Sequence, residues 1–431
     1  MLIYSFITDY QAFSLRYKDN TTRDKNETKV GKQSANLGKN NEPIQNRLSF
    51  LIDCKSVILH HLTILSFPMV RPAWDNWWLL VDCQILADLT DGHGKQIMFD
   101  VKEDLLSELK KDSLERPFVD LFISTHPHDD HCKGFAENFY HGDVADYDKD
   151  KNKNEIIIEE LWITPRGLNN GLSAPAEDIR KEAKRRRKLY DDDANFYGSK
   201  GNYLRIIGYD KDKEFDRRYC YVPGKLVTTV HGASLSWLEM FIHAPFKEDV
   251  ETSKKYDDKN ATSVVVQFGF KIDGYTGYKS RVLMGGDAEH EIWQHILDNN
   301  TDEEKLKWNI FLAPHHCSWS FFNNSDNKNE IKPSAEDILN KQIGNSAHII
   351  ASSNEIKNDN NNPPCYEAKQ QYIKKLKSGS SRFLNTATHS KVGNIPQPIV
   401  FKIDEYGKTL KENATVAGAT SISNPAPRAG R

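Results

Sequence analysis

No stretch of this chain comes near the roughly 18 consecutive apolar residues that a membrane-crossing helix needs, so the sequence predicts no membrane partner. The first residues also lack a basic run leading into an apolar one, and no secretory signal is expected. Cysteine is sparse: the six (Cys54, Cys83, Cys132, Cys220, Cys317 and Cys365) are scattered through 431 residues without CxxC spacing. That excludes a disulfide framework and points to reduced thiols in a cytoplasmic protein. Charge of one sign is missing too, because a formal net charge of −3 neither predicts nor forbids an anionic substrate. No internal repeat is visible.

What is present divides unevenly. Residues 1–47 open with a short apolar patch, Leu2 to Ile7, and turn into an Asn- and Lys-rich tract. Such a composition buries too little apolar area to offset its ordering entropy, and the segment is expected to be poorly ordered. Residues 48–410 read as one α/β domain, and 411–431, ending in a Pro- and Ala-containing stretch, as a flexible tail. Strand-like apolar runs cover Leu48 to Leu59, His61 to Val70 and Trp77 to Cys83. Lys102 to Lys111, with Leu105, Leu106 and Leu109 on one face, predicts an amphipathic helix. Further strands are expected over Glu155 to Ile163, Ala347 to Ala351 and Pro398 to Ile403, and a helix over Tyr366 to Lys377.

The chemistry is concentrated where apolar runs stop. Phe118 to Ser124 reads as a buried strand, and it runs directly into Thr125, His126, Pro127, His128, Asp129, Asp130 and His131. Imidazole nitrogen and carboxylate oxygen suit zinc, and a strand end holds such ligands rigidly while leaving positions open. The spacing assigns His126 and His128 to one divalent metal ion and Asp130 and His131 to a second, about 4 Å away. The bland alternative is a polar surface loop that binds nothing. Two later segments repeat the arrangement. The strand Arg281 to Met284 runs into Gly285, Gly286 and Asp287, whose carboxylate could bridge two metals. Trp308 to Ala313 runs into Pro314, His315, His316, Cys317 and Ser318.

These motifs resemble the metallo-β-lactamase fold superfamily, and most of all the stand-alone relatives of the soluble hydrolase domain of the DNA-uptake protein ComEC. The likeness rests on Thr125 to His131, the strand Asn260 to Val266, Met284 to Glu289 and Ala313 to Ser318, within residues 76 to 407. The resemblance implies an αββα sandwich, here with a charged helical insertion over about 142–221, and a binuclear site bridged by Asp287. It favours His316 as the ligand of the His315/His316 pair, although the two could exchange roles. Asp130 and His315 are then the candidate catalytic residues, with His315 facing the substrate. Zinc suits the mixed donors best, with manganese and iron as alternatives. The family's aspartate behind the metal loop maps to Asp82. Its glycine-rich turn before that strand is absent, and Phe67 to Pro72 stands there instead. Cys317 occupies a glycine position, which implies an ordinary backbone there or a cost of about 1–2 kcal/mol.

Other features stay open at this level. Ser173 to Asp178 has helix-start chemistry and leads into a strongly basic helix through Tyr190. Its cations from Arg180 to Lys188 could hold nucleic acid phosphates, or they could form a solvated, salt-bridged face. His231 and His243 are possible extra ligands, and His290 is expected to be exposed on a helix. The resemblance and the basic helix together make a phosphodiesterase or nuclease the leading expectation. A hydrolase of a cyclic nucleotide, phosphorylcholine ester, lactone or thioester is the second, since fold does not fix substrate. A binding subunit of a larger protein assembly is the third, and oligomeric state is not legible.

Overall fold

The computed structural model describes residues 48–52, 63–67, 77–91, 93–208 and 216–411. The polar segment 1–47, most of the expected tail, Cys54 and the stretch from Pro68 to Pro72 lie outside the described residues. Strands β1 (Leu48–Ile52), β2 (Thr63–Phe67), β3 (Trp77–Val81), β4 (Phe118–Ile123), β5 (Ile157–Ile163), β6 (Tyr203–Ile207) and β7 (Cys220–Tyr221) belong to a first sheet. A second sheet contains β8 (Leu226–Val227), then, beyond a hairpin of β9 (Thr229–Val230) and β10 (Ala233–Ser234), β11 (Leu238–Ala244), β12 (Val265–Phe270) and β13 (Ser280–Met284). It continues with β14 (Ile310–Leu312), β15 (His348–Ala351) and β16 (Arg382–Asn385). After a hairpin of β17 (Lys391–Val392) and β18 (Ile395–Pro396), β19 (Ile399–Asp404) and β20 (Gly407–Lys411) rejoin the first sheet, with β19 antiparallel to β1.

The helices are α1 (Val101–Glu108), α2 (Asp129–Cys132), α3 (Phe135–Asn138), α4 (Ala174–Asp192), α5 (Lys247–Tyr256), α6 (His290–Asn299), the distorted turn α7 (Pro314–Cys317), α8 (Pro333–Asn340) and α9 (Tyr366–Lys375). The chain is therefore mixed α/β, with parallel pairing from β3 through β7 and from β13 through β16.

Parallel strands covered on both faces are expected to be rich in apolar residues, and these are, although Asp120 in β4, Glu159 and Glu160 in β5 and Arg205 in β6 interrupt the runs. In the second sheet, Val282, Ile310 and Ile350 face a core shared with Leu79, Leu121 and Ile158 of the first sheet and with Val101 and Ile179 of α1 and α4. Their chain neighbours Leu283, Phe311 and Ile349 face a separate cluster with Trp293, Ile338 and Tyr372 of α6, α8 and α9. The two-residue period of a strand thus sorts one run of sequence into two cores.

Much of the segment expected to be an insertion is built into the first sheet. β5 pairs with β4, β6 with β5 and β7 with β6, all parallel. β5 is buried throughout, Glu159 and Glu160 included, as befits a strand with neighbours on both edges. The basic run lies in α4, as its helix-start residues predict, and α4 packs against α2, which carries Asp130 and His131.

Candidate metal centre

Because β3, β4, β13, β14 and β15 end on the same side of their sheets, the residues that follow them meet. Asp82 follows β3. Its carboxylate accepts hydrogen bonds from the Thr125 amide (2.6 Å) and the Thr125 hydroxyl (2.7 Å) and faces His131 Nδ1 at 2.9 Å. The Thr125 oxygen in turn lies 3.1 Å from His126 Nδ1. After β14, His316 Nδ1 meets the backbone carbonyl of Ser352, beyond β15, at 3.1 Å. These outward partners are acceptors for Nδ1–H, which assigns the proton of all three imidazoles to Nδ1 and turns each Nε2 lone pair inward. Metal-binding histidines are oriented in this way.

Asp287 stands where the three Nε2 atoms point. Its carboxylate oxygens lie 3.2 Å from His131 Nε2, 3.5 Å from His126 Nε2 and 3.9 Å from His316 Nε2. Two groups have ligand-type atoms all within 4.8 Å of one another among the described residues: His126, His131 and Asp287, and Asp130, His131 and His316. Asp130 Oδ2 lies 2.9 Å from His316 Nε2, and its other oxygen lies 4.0 Å from His131 Nε2. His128 falls in neither group, but its Nδ1 approaches His126 Nε2 to 3.0 Å. His315 Nε2 lies 3.7 Å from Asp287, while its Nδ1 is 3.0 Å from the Ser320 hydroxyl and 3.7 Å from Glu289.

The backbone is shaped to allow this approach. Gly286 has φ +49°, and a Cβ there would sit 2.9 Å from the Thr125 hydroxyl oxygen and 3.3 Å from Ser263 Cβ. At Gly285 a Cβ would meet the Trp293 ring at 2.4 Å. The Ser263 hydroxyl, just before β12, accepts from the Asp287 amide at 3.1 Å. His315, His316 and Cys317 all take left-handed φ values of 49°, 54° and 70°. Of the two outcomes open for a cysteine at a glycine position, the strained one is present.

Electrostatics follow from burial. Burial pushes the Asp287 carboxyl up, but the surrounding histidines, His131 first, outweigh it and hold it well below the usual range. Asp130 behaves alike, with His131 and His316 overcoming burial. Burial pushes His131 down, yet Asp287, Asp82 and Asp130 together raise it well above an ordinary imidazole. Burial, reinforced by His126, lowers His128 to about 3, and burial lowers His315. A carboxylate 2 % exposed needs positive charge beside it, which the raised His131 imidazole supplies in the metal-free chain and a divalent ion would supply in its place. The donor set of imidazoles and carboxylates fits a divalent ion of the zinc type.

The remaining candidates lie elsewhere. His243 donates through Nε2 to the Lys305 carbonyl (2.9 Å) and belongs to neither group. His231 bonds Asp120 at 3.0 Å and stacks on Trp77. The His290 side chain is 13 % exposed and pairs with Glu291, because the first turn of α6 is half-buried. The α4 cations are largely matched along their own helix. Arg180 pairs with Glu177, Lys181 with Asp178, Arg185 and Arg186 with Glu182, Arg187 with Asp191 and Lys188 with Asp192. Arg186 is buried and donates to the carbonyls of Ile158 and Tyr203. Five cysteines are free thiols among the described residues, and no helix there is long and apolar enough to cross a membrane.

Sequence reasoning did not anticipate Glu289 as the neighbour of His315, nor Thr125, Ser352 and Ser320 as partners of the imidazoles. Each is an ordinary polar residue whose meaning appears only when distant strand ends converge. No family model matches the chain, and no curated protein matches it.

Proposed function

We propose that the chain is a metal-dependent hydrolase with a metallo-β-lactamase-type αββα sandwich, and that its substrate is a phosphodiester. The observation that carries this reading is the convergence of His126, His131 and His316 with Asp130 and Asp287 at the ends of separate strands. His126 and His128 would hold one divalent ion, and Asp130, His131 and His316 the other, with Asp287 reaching both. Ions at these positions supply Lewis acidity and lower the pKa of water toward neutrality.

The chain's own residues do the rest. Asp82, Thr125 and the Ser352 carbonyl fix the imidazole orientations, so little reorganisation is needed when a substrate arrives. His315, beside Ser320 and Glu289, would stabilise developing charge or hand a proton to a leaving group. Nucleic acid is the first substrate class to test. The matched charges of α4 favour a smaller phosphodiester as the second reading, because cations already paired along their helix have less to offer a phosphate backbone.

The test is metal content by mass spectrometry on wild-type and Asp287→Ala protein, alongside hydrolysis of bis-p-nitrophenyl phosphate. About two ions per chain are expected, with turnover falling by a factor of about 100 or more in the variant. A chain that takes up no divalent ion, or that hydrolyses the diester equally well without Asp287, overturns the reading.

A further inference from the structure

The metal centre uses the C-terminal ends of the parallel strands. At the opposite, N-terminal ends of β3, β4, β5 and β6 lies a cavity of about 330 Å³. None of its lining residues belongs to the metal-type groups. The volume falls at the lower end of the range for small-molecule sites.

Trp77 opens β3, Phe118 opens β4 and Tyr203 opens β6, and all three line the cavity. His231 also lines it, its ring stacked on Trp77 at 4.8 Å with 13° between the planes and tilted by 55° to the Tyr203 ring. Two cations lie by the Phe118 ring, Lys110 Nζ 5.4 Å and Lys200 Nζ 5.2 Å from its centre, and Lys200 also pairs with Asp112 at 3.2 Å.

Two buried carboxylates complete the lining. Asp120 accepts from the Trp78 amide (2.8 Å) and faces His231 Nε2 (3.0 Å). Glu159 accepts from the Gly201 amide (2.9 Å) and lies 3.5 Å from Lys200. Each acid is anchored by a backbone N–H and steadies one basic group. A carboxylate has about four lone-pair positions, so both retain capacity to accept from an amino group.

We propose that this cavity binds a mononucleotide, its base in the angle between the His231 and Tyr203 rings and its phosphate at Lys110 and Lys200. Lys200 is shared with Asp112 at 3.2 Å and Glu159 at 3.5 Å, so a phosphate competes with those carboxylates for it and leans on Lys110 for the rest. The aromatic walls match a base, whose stacking contributes about 1–3 kcal/mol on such surfaces. Asp120 and Glu159 are placed to accept from the amino group of adenine, guanine or cytosine. The site is separate from the metal centre and does not depend on the hydrolase reading.

The experiment is calorimetric titration of the full chain with AMP, GMP, CMP and UMP, and with the matching nucleosides, in buffer containing a chelator. At least one monophosphate is expected to bind, about tenfold or more tighter than its nucleoside, since charge-assisted contacts to phosphate are the strong ones. Asp287→Ala should bind it equally well. Lys110→Ala/Lys200→Ala, and the milder Lys110→Gln, should each weaken it while leaving the circular dichroism spectrum unchanged. Absence of binding by all four at about 1 mM overturns the proposal. So does binding indifferent to the phosphate, or binding that Asp287→Ala removes and the lysine variants leave intact.

Discussion

At the scale of single residues, the centre is organised from behind. Asp82 touches no other carboxylate of the site, yet it holds the Thr125 amide, the Thr125 hydroxyl and His131 Nδ1 at 2.6, 2.7 and 2.9 Å. Those contacts set the height of the metal loop and the proton position on two of its histidines. Replacing Asp82 by alanine strands buried donors that water does not reach, at a cost of about 1–3 kcal/mol for each neutral group. It also leaves His131 without the acceptor that orients it. Asp82→Ala should therefore lose about 10- to 100-fold in zinc affinity, the usual effect of removing a partner of a ligating imidazole. Competitive titration against a fluorescent chelator measures this. Unchanged affinity in a folded Asp82→Ala protein would show that Asp82 supports the fold and not the ligands.

At the scale of elements, the turn Pro314–Cys317 stores strain that the rest of the strand layer must hold. Three successive residues sit at φ between 49° and 70°, where a side chain costs about 1–2 kcal/mol each. Cys317 is completely buried, so its thiol contributes packing while its backbone opposes folding. The two effects separate in a pair of variants. Cys317→Ala loses the sulfur and keeps the strain, whereas Cys317→Gly loses slightly more packing and releases it. The glycine variant should be at least as stable as the alanine variant in urea unfolding, against the usual order in which glycine is worse by about 0.5–1 kcal/mol. Glycine falling below alanine by that ordinary margin would rule out the strained turn.

The same scale shows what sequence could and could not carry. The strands β4, β13 and β14, each running into His or Asp, were legible because an apolar run ending in such residues is a local signal. Of the partners that orient those side chains, Asp82 came only through the family resemblance, and Ser352, 36 positions from His316, did not come at all, because no local pattern links them. The α4 run is a middle case. Its helix was legible, and so in principle was its neutralisation, since Glu177, Asp178, Glu182, Asp191 and Asp192 stand three or four residues from their partners. Counting the cations alone gave a basic face that the pairing largely cancels.

At the scale of the whole molecule, the buried histidines outside the centre make stability depend on pH. His243, fully enclosed beside Lys305, is lowered to about 4 by burial, and the Lys305 charge reinforces this. His348 is lowered to about 3 by burial and by Lys408. An imidazole whose folded value lies below its unfolded value near 6.5 is held neutral in the fold, while the unfolded chain takes the proton first. Its contribution is therefore complete above about pH 6.5 and is lost as pH falls toward 4 for His243 and toward 3 for His348. Glutamine at position 243 can still donate to the Lys305 carbonyl but cannot titrate. His243→Gln should accordingly gain on wild type by about 2–3 kcal/mol between pH 7 and pH 4, the value of a shift of roughly two pH units. Urea unfolding of both proteins at pH 7, 6, 5 and 4, in chelator so that metal release does not contribute, measures the difference directly. Parallel curves would mean that His243 carries the same charge in the folded and unfolded chain, and the acid limb would then have to come from His348 and the histidines of the centre.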